Sequence, residues 1–181
     1  MCSGLEQTDR SALENNVNRP QEMGAWVLIN VDWYELSAVM MKRATLTGVN
    51  MMGCNLSMAQ LDGALMRNVK CNDADLRGAQ LVGANLTNAN LSRARMSRMH
   101  IAGGVEAEWP TNLTDADLRS ANLSGADLRH ANFEGAMLQK ADLRKADLTG
   151  AILLDADLTG ADFREAKLAD VDFRGAKGFK H

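Results

Sequence analysis

The sequence predicts an all-β solenoid, a chain wound into a coil of short straight edges and tight corners. Two observations carry this. From about Ala44 onward a five-residue unit recurs, as in Ala74-Asp75-Leu76-Arg77-Gly78, Ala84-Asn85-Leu86-Thr87-Asn88 and Ala146-Asp147-Leu148-Thr149-Gly150. Within it a bulky apolar residue returns at every fifth position, and a small one stands two places before it.

That period rules out the simpler alternatives. At about 100° per residue, apolar positions spaced 0, 2, 5 and 7 scatter around a helix and leave no stripe. A long strand alternates with period two, so an odd repeat would bury one bulky residue and expose the next. A short extended stretch followed by a corner satisfies both positions. The small and bulky residues are two apart and face inward together. The other three, mostly Asp, Asn, Arg, Thr, Ser or Gly, suit an exposed corner. Repetition then winds the chain around its own apolar side chains, and adjacent coils pair through backbone hydrogen bonds.

These tandem units resemble the motif A-(D/N)-L-x-x of the pentapeptide-repeat proteins, over roughly three quarters of the chain. The resemblance implies a right-handed quadrilateral β-helix with four units per coil. About 26 units would make six to seven coils, and a rod roughly 30 Å long at the spacing of paired strands.

Residues 1–35 lack the repeat. Ser11 to Val17 is expected to be a short helix ending before Pro20. Trp26 to Leu36 carries Trp26, Val27, Leu28, Ile29, Trp33 and Tyr34, which suits a cap over the first coil. The β-helix is expected over 36–181. Its bulky positions include Leu118, Leu123, Leu128, Phe133, Leu143, Leu148, Phe163 and Phe173, each stacking on the residue twenty positions away, as Phe133 on Leu153 on Phe173. From Ile101 to Leu113 is twelve residues, not a multiple of five, and the segment holds Gly103-Gly104 and Trp109-Pro110. A loop at about 102–111, ejected from one corner of a continuous rod, accounts for this. Loops on rigid scaffolds carry binding, so Glu106, Glu108 and Trp109 are the candidate partner contacts. Trp109 folded back onto the wall is the competing expectation. Beyond Phe173 and Phe179 no long capping helix is written, which leaves apolar surface and unpaired backbone for a homodimer through the C-terminal end.

Composition narrows the function. The chain has 181 residues, 46% hydrophobic but 4% aromatic, with a net charge of −3. A basic footprint for nucleic acid is missing. Cys2, Cys54 and Cys71 form no C-x-x-C, so neither a disulfide framework nor a zinc site is expected. No secretory leader is visible, and the apolar run Trp26 to Ile29 is too short to cross a bilayer. A cytoplasmic, non-membrane protein is expected. His100, His130 and His181 have no motif partners, and the chain holds no G-x-S-x-G, P-loop or G-x-G-x-x-G. No catalytic residue, metal or cofactor is expected, because a filled rod offers no pocket of converging groups.

What remains is surface. Residues 41–101 carry +5 and residues 113–181 carry −2, with acids and arginines interleaved. A non-enzymatic rigid scaffold, binding a protein partner through its walls and loop, is the first expectation. The resemblance supplies an alternative: some pentapeptide-repeat proteins mimic duplex DNA and bind DNA gyrase, inhibiting or protecting it. A mimic needs a strongly negative face, and here arginines match the acids. Direct nucleic-acid binding by the basic half is disfavoured, since stacking aromatics are lacking.

Overall fold

Each five-residue unit makes one straight edge and one β-turn, and four units close a coil. The computed structural model describes residues 35–100 and 108–179. The expected cap over 1–35, with its helix at Ser11–Val17, lies outside the described residues apart from Glu35. So does the tip of the expected loop, including Glu106.

We call the five positions small, outer, bulky, first corner and second corner. In the unit Cys54-Asn55-Leu56-Ser57-Met58, Leu56 is bulky and Asn55 is outer. The turn closes where the N–H of the next small residue, Ala59, donates to the Leu56 carbonyl at 3.1 Å. Its second corner residue has positive φ, 60° at Met58, the signature of a type II turn. Glycine fills this position in some units, but Arg43, Asn88, Lys140 and Glu165 hold it too, with φ of 57–62°. An L residue there costs roughly 1–2 kcal/mol. The coil imposes it, because the second corner N–H must reach the neighbouring rung: Met58 N–H donates to the Arg77 carbonyl at 2.9 Å.

Outer residues pair in parallel with a fixed offset of 20, as Asn55 with Asp75 and Asp142 with Asp162. Four ladders result, one per wall. The first runs from Glu35 through Asp75 and Asp127 to Lys167, and the second from Met40 through Gln80 and Asn132 to Asp172. The third runs from Thr45 through Asn85 and Met137 to Lys177, and the fourth from Asn50 through Asn90 to Asp162. Across the interruption the offset becomes 32: Gln80 pairs with Asn112 and Arg95 with Asp127. Twelve residues therefore leave the coil while the walls continue. A short antiparallel pair, β1 (Met99–His100) and β2 (Glu108–Trp109), forms the base of the excursion. This is a β-solenoid, and no α-helix occurs among the described residues.

The interior is filled. Leu118, Leu123, Leu128, Phe133, Leu143 and Leu148 have no exposed surface, and the small positions Ala121, Ala126 and Ala141 are as well buried. Each bulky side chain contributes about 1.5–3 kcal/mol by burial. Phe163 and Phe173, expected in the same core, are only partly buried. They belong to the last coil, which has no successor among the described residues. Gly178 stands where the next bulky residue would be, and its backbone lies so close that an added Cβ would meet Thr159 Cα at 2.5 Å. The chain then turns in over the end. Phe179 stacks on Phe173 with centroids 4.0 Å apart and meets Phe163 edge-on at 5.4 Å.

Candidate partner-binding site

The walls explain why the repeat prefers Asp or Asn at the outer position. The first corner N–H points outward, and the outer carboxylate or carboxamide two residues earlier accepts it. Ser57 N–H donates to Asn55 Oδ1 at 3.1 Å, and Arg144 N–H to Asp142 Oδ1 at 3.1 Å. This is the local Asx bond that pre-forms a turn. Where the outer residue is aspartate and the first corner residue arginine, the guanidinium folds back onto that carboxylate. Arg144 donates from Nε and Nη2 to Asp142 at 2.8 and 2.7 Å. The same fork joins Arg119 to Asp117 and Arg174 to Asp172. The guanidinium of Arg164 holds the Asp162 carboxyl down at about 2, and Arg144 lowers Asp142 in the same way.

A pH dependence follows. A carboxyl depressed in the fold adds stability above its unfolded value near 3.9 and loses it as pH falls through the folded value. The melting temperature is expected to be flat from about pH 7 to 5 and to fall between about pH 4 and 2. The pairs are exposed, so high salt will blunt the fall. Thermal melts followed by circular dichroism across that range check this, and Arg164→Gln should make the acid limb shallower.

The cations of the first half are similarly engaged. Lys42 pairs with Asp62, Arg93 with Asp73, and Arg77 and Arg95 with Asp75. Those left over, Arg43, Arg67 and Lys70, belong to three different walls. They do not assemble one basic face.

The excursion between the second corner at Arg98 and the re-entry at Thr111 is where the rod departs from regularity. Its base is pinned in three ways. Arg98, just before β1, forms an ion pair with Glu108 of β2, and His100 Nδ1 lies 3.9 Å from the Glu108 carboxylate. Gly78, at the second corner with φ of 70°, lies under Met58, Met99 and the Trp109 backbone; any Cβ there would strike the Met58 sulfur at 2.7 Å. Thr111 takes the small position on re-entry and is fully buried. Regular coils join the second corner N–H directly to a carbonyl of the next rung. Here Gly78 N–H donates instead to Thr111 Oγ1 at 3.1 Å. That hydroxyl in turn lies 3.0 Å from the Leu76 carbonyl and 3.2 Å from the Ser97 carbonyl. The hydroxyl fills the gap that the ejected loop opens in the ladder.

Thr111→Ala should therefore cost about 1–3 kcal/mol, the price of an unpaired buried N–H. Thr111→Val should fail to recover it and Thr111→Ser should recover most of it. Chemical denaturation of the three variants is the check.

Of the three candidate contacts, Glu106 lies outside the described residues. Glu108 spends its charge on Arg98 at the hairpin base, and Trp109 is 45% exposed beside it. Sequence reasoning missed Arg98, Gly78 and Thr111. Only Thr111 carried a signal, a hydroxyl residue at a position otherwise given to alanine and a few other small or aliphatic residues.

Chemistry elsewhere is sparse. Among the described residues no three His, Cys, Asp or Glu side chains group as a metal site. Cys54 and Cys71 are buried, and desolvation pushes the Cys71 thiol well up, away from the reactive thiolate. His130 lies over Gly150 at a corner of the first wall. No helix of the described residues is long and apolar enough to cross a membrane.

A family model for pentapeptide repeats matches residues 35–68, 67–100, 111–150 and 141–177, in eight copies. Among solved structures, a pentapeptide repeat protein from Nostoc Pcc 7120 is 38% identical over 49% of this chain and 63% of its own length, with a TM-score of 0.41. HetL, a pentapeptide repeat protein involved in heterocyst differentiation regulation in Nostoc sp. strain PCC 7120, is 26% identical over 98% of this chain and 100% of its own, with a TM-score of 0.28. Full-length QnrB1, a plasmid-mediated fluoroquinolone resistance protein, is 20% identical over 83% of each chain, with a TM-score of 0.40. No curated protein sequence matches the chain.

Proposed function

This chain belongs to the pentapeptide-repeat family, and on that premise we propose that it is a non-enzymatic, cytoplasmic scaffold that binds a protein partner through its walls and its hairpin. The observation that carries this reading is the seating of the hairpin. Thr111, Gly78 and Arg98 hold its base against a filled rod, so Trp109 is presented half exposed at a fixed place. A preorganised aromatic at a rigid base is the arrangement of a binding hot spot. Capture of a partner by the intact chain, and its loss on deleting residues 103–110, is the expected result. Equal capture by both forms would remove the hairpin from the reading.

The C-terminal end is a second contact in this proposal. Phe163, Phe173 and Phe179 leave apolar surface there, and a second copy packed end to end would cover it. Light scattering should give a dimer mass that Phe179→Ser reduces to a monomer; a clean monomer at high concentration removes the dimer.

The alternative, mimicry of DNA toward DNA gyrase, needs unspent acids along one face. Four Asp-Leu-Arg and two Asp-Phe-Arg units instead pair each carboxylate with its own arginine. The expected result of a supercoiling assay with purified gyrase is therefore no effect at micromolar concentration, and inhibition would restore mimicry.

A further inference from the structure

From 112 to 172 the outer position is Asn, Asp or Lys in every unit but two, which carry Met137 and Ile152. They are fifteen residues apart in sequence, yet the ladders bring them to one corner. Ile152 pairs with Asn132 on the second wall, and Met137 lies between Asp117 and Asp157 on the third. The segment from Ile152 to Asp157 thus runs as the rung beside Asn132 to Met137. We propose that this corner is a docking surface for a basic, amphipathic segment of a protein partner, an inference that rests on the scaffold reading above and names the wall and the chemistry.

Both exceptions work against the local fold. Asn132 accepts the Glu134 N–H at 3.0 Å. Ile152 and Met137 carry no oxygen to do the same for Leu154 and Gln139. Ile152 is 38% exposed, and Leu154 and Met137 are half-buried beside it. A repeat that gives up its turn bond to place aliphatic side chains on the outside is locally inconsistent, and such conflicts gather at functional surfaces.

Charge identifies the occupant. Glu134 and Asp155 flank the apolar residues on the same two rungs, and Asp115 stands one rung before Glu134 on the same wall. Unlike the outer aspartates forked by arginine, such as Asp142 and Asp172, these three make no ion pair among the described residues. On the second wall the nearest cation, Arg174, is forked to Asp172, and Lys140 and Lys177 lie on the third, so the second-wall edge of the strip is acidic and complementary to a segment that alternates aliphatic and cationic side chains.

The test restores the repeat rather than breaking it. Met137→Asn, Ile152→Asn and Leu154→Thr together rewrite both units in the common form, so the rod should melt no lower than the parent. The probe is a short fluorescein-labelled peptide of alternating lysine and valine, with a glutamate–valine peptide as its counterpart. The full-length chain should bind the lysine peptide at least about tenfold more tightly than the glutamate peptide. The restored variant, and separately Glu134→Gln with Asp155→Asn, should each lose about tenfold. Leu65→Asn, which removes an exposed aliphatic from the third wall near Arg67, should change affinity by less than about twofold. Equal binding by parent and restored variant, or an equal loss in Leu65→Asn, overturns the inference. So does a concentration-dependent mass that the restored variant abolishes, since the surface would then bind a second copy. If partner capture still depends on residues 103–110 while the peptide results fail, the scaffold reading stands and this surface does not.

Discussion

Leu143→Asp is expected to leave no native rod at neutral pH. Leu143 has no exposed surface and lies in the column between Leu123 and Phe163. The substitution removes about 1.5–3 kcal/mol of burial and leaves a cavity. It also places a carboxylate where no cation can reach it, and burying an unpaired charge adds several kcal/mol more. The total rivals the whole stability of a typical domain, about 5–15 kcal/mol. In a solenoid each coil is held only by its neighbours, so damage at Leu143 also detaches the coils that follow. Loss of the cooperative melt and rapid proteolysis from the C-terminal side are the expected readouts. A variant that melts like the parent would mean that Leu143 faces water.

Ala141→Trp is expected to do comparable damage by the opposite route. Ala141 is 1% exposed and sits two residues before Leu143 on the same edge. The coil has space for one bulky residue per edge because its companion is small. An indole there would press on the facing walls, and overpacking of even a few methylenes costs about 1–3 kcal/mol. The indole is far larger, so the ladder bonds of that coil should open as well. Ala141→Gly is the control, with a loss near 1 kcal/mol. Denaturant midpoints of the pair check the ordering, and a tolerated tryptophan would place Ala141 on the outside.

How much of this was legible in the sequence depends on the range of each contact. The inward pair, such as Ala141 and Leu143, repeats within five residues and announces itself by period alone. The stacking partner at twenty follows once four units per coil are granted by resemblance. The excursion was visible as twelve residues out of phase, but its repair was not. Thr111 acts on Gly78, a neighbour only after the coil closes, so a threonine in an alanine column gave no hint of the bond. The outer aspartates were legible as part of the motif, while their service to the first corner N–H needed the turn geometry. Phe163 and Phe173 share the pattern of Leu143, yet they are only half covered, because no coil stacks beyond theirs among the described residues and a period says nothing about that. Glu108 looked like a free contact acid, and Arg98 ten residues earlier takes it up.

Backbone nuclear Overhauser contacts between coils test the central claim most directly, because walls, hairpin and docking corner all depend on the register. Before the excursion they should join residues about twenty apart, as Leu56 with Asp75, whose N–H and carbonyl are 2.7 Å apart. Across it they should join Leu91 with Asn122, also bonded at 2.7 Å. Unbroken runs of contacts at four residues along the chain, the pattern of an α-helix, or a twenty-residue offset persisting through residues 99–111, would contradict the account.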